Sequence, residues 1–211
     1  MSNLLTDYLL VLVIGWLALD VHRKQYLGDF LQNSAWVMSF SLFALASFLG
    51  GTYHGFLEQN GTVLSEYTWF STIICIQLAS FTLAVTIVEQ FLRSTVVRRA
   101  IEGLLLTKLA VIVSWLAFYP QFIYVMVGYG MDLVVVITVL SYSMVRRRSR
   151  STRWLFVGTF IIPVASIIQQ IPLSVFGVFD QNDVYHFILI GSFVCLHRGI
   201  KQGKGTLEQT F

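Results

Sequence analysis

The chain has 211 residues, 56% of them hydrophobic and only 12% charged, with a mean hydropathy of +0.72. A soluble domain carries about 25% charged residues, so this composition excludes an ordinary water-soluble enzyme or binding module. The formal net charge of +3 implies no nucleic-acid partner, because the basic residues sit in loops beside apolar runs, where they encode orientation across a membrane.

The apolar residues come in runs of roughly 20, the length that spans a bilayer. Only helices satisfy their own backbone within such runs. The predicted fold is therefore all-α, one domain over 1–211, a polytopic bundle of seven transmembrane helices. The runs cover 4–19, 35–53, 67–88, 103–119, 122–144, 154–171 and 184–197. The stretch Met-Ser-Asn-Leu-Leu-Thr-Asp before and into the first run lacks the positive segment of a signal peptide, so the first run is expected to be a retained span. Trp36, Trp69 and Trp154 lie near run ends and suit an interfacial aromatic belt. Asn60-Gly61-Thr62 between the second and third runs is a turn signal first and a glycosylation pattern second. Cys75 and Cys195 fall inside runs and are expected to be packing thiols, with no disulfide. Pro163 is expected to kink the sixth run.

Of the 14 Lys and Arg residues, 13 follow the first, third, fifth and seventh runs. The intervening loops hold none, so the positive-inside rule gives N-terminus out and C-terminus in. The fourteenth, Lys108, lies in the fourth run as far from the Tyr119-Pro120 turn as Asp132 does in the fifth. A buried ion pair joining this hairpin is the favoured expectation, with a proton relay as the alternative.

The seventh run opens with Asp180-Gln-Asn-Asp-Val-Tyr-His186. Polar groups at membrane depth are costly and mark pathways or sites. His22 and His197 adjoin Arg23 and Arg198 at the inner surface and are expected to be solvated. His54 and His186 both fall at the outer end, beside Glu66, Gln169 and Gln170. Gly50 and Gly51 share a helical face with His54, leaving room for close helix approach or for a ligand. Two imidazoles and a carboxylate form a zinc ligand set that leaves a position for water. Such water attacks ester or amide carbonyls, and Glu66 is the candidate general base.

These segments resemble the alkaline ceramidase, progestin and adiponectin receptor and hemolysin III superfamily of seven-span membrane hydrolases. Gly50-Gly-Thr-Tyr-His54 is similar to the family's Ser-x-x-x-His, Ser65-Glu66 falls where its acidic element stands, and Asn182-Asp-Val-Tyr-His186 is similar to its His-x-x-x-His. The resemblance implies zinc held by three histidines and hydrolysis of a membrane lipid amide such as ceramide. Gly50 stands in place of the serine, Asn182 in place of a histidine and Glu66 in place of aspartate. His54 and His186 carry over as metal ligands, with the third open between Asp183, Asn182 and Glu66. Two further readings stand beside this one. The first is a hydrogen-bonded polar cap without metal, with Asn182 or Asp183 capping the seventh helix. The second is bis-histidine haem between the second and seventh spans.

Overall fold

The computed structural model describes residues 2–59, 61–147, 149–172, 174–175 and 178–203. Asn60 of the predicted turn, and Arg148 and Lys204 of the basic count, lie outside the described residues.

Each apolar run folds as a helix that begins at or before the start of the run, and those of the fourth and sixth runs end one and two residues before the run does. The seven are α1 (Ser2–Lys24), α2 (Phe30–Thr52), α3 (Val63–Phe91), α4 (Thr95–Phe118), α5 (Phe122–Arg147), α6 (Arg150–Gln169) and α7 (Gln181–Lys201). Helix α2 continues into a π-helical turn, Tyr53–Leu57, and the short strands β1 (Ser174–Val175) and β2 (Phe179–Asp180) pair antiparallel just before α7. Side chains at the entry points begin the helices. Asp29, Thr62 and Ser94 accept backbone N–H groups at the starts of α2, α3 and α4, satisfying donors that have no partner within the helix.

Helices α1 to α6 are long and apolar enough to cross a membrane, α2 counted together with its π-helical turn. The 21 residues of α7 give it a length of about 31 Å at 1.5 Å per residue.

The packing order is α1–α2–α3–α5–α6–α7 and back to α1, a closed ring of six helices. Helix α4 stands outside it, against α3 and α5. Only Leu105 and Leu116 of α4 are buried, whereas α3 buries 13 residues. What ties α4 to the ring is the expected ion pair. Lys108 Nζ lies 2.6 Å from Asp132 Oδ2 and donates to the Gly128 carbonyl at 3.2 Å, while the Ser80 hydroxyl of α3 donates to the same carboxylate oxygen at 2.7 Å.

The α6–α7 contact depends on small residues. A Cβ on Gly158 would lie 2.9 Å from the backbone of α7, and one on Gly199 would lie 2.6 Å from Leu155. Ser192 and Ser151 seal the approach by donating to the Gly158 and Gly199 carbonyls, both at 2.7 Å. Such close backbone approach is how helices associate where hydrophobic burial gives little drive. Pro163 is accommodated inside α6, which continues to Gln169.

Two expectations are corrected. Trp36 is fully buried, edge-on to Phe40, with its indole N–H donating to Gln90; a ring between packed helices gains more by burial than at an interface. His197 is also buried, with its Nε2 2.8 Å from Asp20 Oδ2, because α1 supplies an acidic partner that pays for its desolvation.

Candidate functional site

The ring encloses a cavity of about 300 Å³, lined by all six of its helices and, among the described residues, by none from α4. On α1 it reaches from Asn3 to Ile14, a rise of about 16 Å along the helix. Asn3, Asp7, His54, Gln169, Asn182 and His186 stand around its upper end, and Ile14, Leu133, Ile162 and Phe193 around the lower. Ser80, already bound to Asp132, is a polar group at the lower end.

The upper end is organised by the start of α7. Asp180 is the N-cap, and its side chain accepts from the backbone N–H groups of Asn182 at 2.8 Å and Asp183 at 3.1 Å. Asp183 returns the contact, accepting from the Asp180 N–H at 3.1 Å, which completes a capping box. One turn further on, His186 meets α1 with both ring nitrogens. Its Nδ1 lies 3.0 Å from Thr6 Oγ1, and its Nε2 lies 3.2 Å from Asp7 Oδ1. The Thr6 hydroxyl also donates to Asp183 Oδ1 at 2.7 Å.

Thr6 Oγ1 also lies 3.1 Å from the Asn3 carbonyl, so the network admits more than one proton arrangement, and in one of them Thr6 donates to Asp183. With the Thr6 proton on Asp183, Thr6 Oγ1 accepts from His186 Nδ1–H. One further proton then sits between Nε2 and Asp7 Oδ1, making either an imidazolium–carboxylate pair or an imidazole–carboxylic acid pair. In that arrangement Asp7 Oδ2 is an acceptor, and it has no hydrogen-bond partner among the described residues. The side-chain oxygens of Asn3 and Gln169 are in the same condition. The Asn3 amide is oriented by chemistry, since its Nδ2 donates to Asp180 Oδ2 at 3.0 Å and a carboxylate only accepts.

Glycines in α2 and its π-helical turn bring α1 to this position. A Cβ on Gly51 would lie 2.8 Å from Asp7 Cβ, and one on Gly55 would lie 2.6 Å from Leu4. Gly50, on the cavity wall, would meet only the Thr72 methyl at 3.5 Å. Of the two uses expected for these glycines, Gly51 serves helix approach and Gly50 leaves room.

The sequence-predicted residues are distributed as follows. His54, His186 and Asn182 line the one cavity. His54 sits on the π-helical turn with Nδ1 3.1 Å from Glu58 Oε2, and the Asn182 side-chain carbonyl accepts from Gln169 at 2.9 Å. Asp183 is fully buried within the capping box and the Thr6 bond. Glu66 is exposed in the first turn of α3 and is not among the cavity residues. As placed, these side chains are not gathered as a zinc ligand set. Both His186 nitrogens and both Asp183 oxygens are engaged, and no group of three or more His, Cys, Asp or Glu among the described residues is placed to hold a metal. Asp7, Thr6 and Asn3 were not singled out by the sequence reading. The available signal was Asp7 itself, an ionisable residue inside the first apolar run.

Residues 2–204 match a family of unknown function, DUF6962, and the chain belongs to that family. No curated protein and no solved structure matches the chain.

Proposed function

We propose that this DUF6962 protein is a multi-pass integral membrane protein that holds a lipid-like amphiphile in the cavity of its helical ring. In this reading α7 is the seventh span, the N-terminus is outside and the C-terminus inside, and the cavity opens toward the outer leaflet. The positive-inside count supports this orientation, and the capping box supports a seventh span by satisfying the polar start of α7. The observation that carries the function is the gradient along the cavity, from hydrogen-bonding side chains at one end to Ile14, Leu133 and Phe193 at the other. Ligand sites are mostly apolar with a few placed polar groups that fix orientation, and an amphiphile matches both ends at once. The resemblance to lipid hydrolases supports the same class of occupant.

Native mass spectrometry of the protein purified in mild detergent tests the proposal. A bound single-tailed lipid that is lost when the wall is filled by Ala46→Leu is the expected result. A spectrum free of lipid, or lipid retained equally by the variant, overturns it.

Zinc-dependent hydrolysis of a lipid amide is a second reading, favoured by His54 and His186 lining one cavity with the Asp7 carboxylate. It requires His186 to leave Thr6 and Asp7. About one equivalent of zinc that falls in both His54→Ala and His186→Ala, but not in His197→Ala, would establish it in place of the metal-free site. A Soret band would instead point to haem.

A further inference from the structure

The amphiphile reading leaves the head group undefined, and the upper end of the cavity narrows it. We infer that the site selects a single-tailed amphiphile with a cationic amine head, held by Asp7; this rests on the lipid-like occupant proposed above. Asp7 is 5% exposed, lines the cavity, contacts His186 through Oδ1 and leaves Oδ2 with no hydrogen-bond partner among the described residues. Asn3 Oδ1 and Gln169 Oε1 also lack a hydrogen-bond partner among the described residues, on residues that line the same end. A buried acceptor left unanswered is costly, and a head group that donates N–H bonds relieves that cost at Asp7.

Charge selects in the same direction. No Lys or Arg is among the cavity residues. The Asp7–His186 pair is neutral in sum, and Asp180 and Asp183 both accept backbone N–H bonds at the adjoining start of α7. A phosphate or a fatty-acid carboxylate would meet the Asp7 carboxyl with no Lys or Arg beside it, whereas an ammonium gains charge-assisted hydrogen bonds. Thr6 and Asp183 act at one remove, by holding His186 in place against Asp7 Oδ1.

The test compares dodecylamine, dodecanol and dodecanoic acid binding to the full chain in phosphatidylcholine nanodiscs, with empty nanodiscs subtracted. The amine is expected to bind at least about tenfold more tightly than the alcohol, equivalent to about 1.4 kcal/mol, and the acid more weakly than the alcohol. Asp7→Asn should reduce the amine's advantage over the alcohol to within about threefold, about 0.7 kcal/mol by the same conversion. Equal binding of all three by the unaltered protein overturns the head-group assignment and leaves the amphiphile cavity standing. Binding of none overturns both. The unaltered protein alone decides these outcomes, so the inference stays testable if Asp7→Asn does not fold. An amine preference unchanged in a folded Asp7→Asn protein removes Asp7 from the role.

Discussion

Helices α1 and α7 meet through two histidine–aspartate pairs, one near each end, and the two pairs are built differently. At the Lys24 end of α1, Asp20 is saturated: Lys24 contacts Oδ1 at 2.7 Å, while Tyr26 donates to Oδ2 at 2.6 Å and His197 Nε2 reaches it at 2.8 Å. Burial first, and the Asp20 carboxylate second, push the Tyr26 hydroxyl above its ordinary value, so it remains a donor. At the opposite end Asp7 makes one contact at 3.2 Å and leaves Oδ2 without a hydrogen-bond partner among the described residues. The same two residue types therefore form a clamp in one place and an open acceptor in the other. What separates them is the company each aspartate keeps, not the pair itself.

The comparison can be broken by substitution. Asp20→Ala strands His197 and Tyr26 together, and should lower stability in detergent by about 3 kcal/mol, judged from the loss of several hydrogen bonds to a charged acceptor. Thermal unfolding reads this, and the amine preference of the cavity should survive it. Asp7→Asn keeps shape and removes a single long contact, so a loss of about 1 kcal/mol is expected. If Asp7→Asn proves the more damaging of the two, the Asp7–His186 pair is the clamp and the comparison is inverted. Lys24 is largely exposed, and an exposed ion pair contributes little. Lys24→Met should leave the unfolding temperature unchanged within error, which identifies Tyr26 and His197 as the partners of Asp20 that matter.

Much of the architecture was legible because membrane-length apolar runs admit few solutions. The Lys108–Asp132 pair was readable as well, since equal distance from one turn fixes depth on antiparallel helices. His54 and His186 were placed at the same end by counting spans, and they line one cavity. Rotation was harder to read than depth. Glu66 shares that end yet faces outward, and the π-helical turn through His54 shifts the helical phase in a way no spacing rule anticipates. His197 was misjudged because its neighbour in sequence, Arg198, is solvated, while its partner in space, Asp20, is 177 residues away. Asp7 was missed for a related reason: a lone carboxylate in a first helix acquires meaning only from α7.

That last dependence has a consequence for how the protein is made. The ring closes between α1 and α7, so Asp7 has no imidazole partner until His186 has been synthesised. At about 5–20 residues per second, the intervening chain takes roughly 10–35 s to emerge. During that interval α1 lacks the partner that completes its buried polar face. The cavity wall is incomplete until α7 is in place, because Asn182, Tyr185, His186, Leu189 and Phe193 line it.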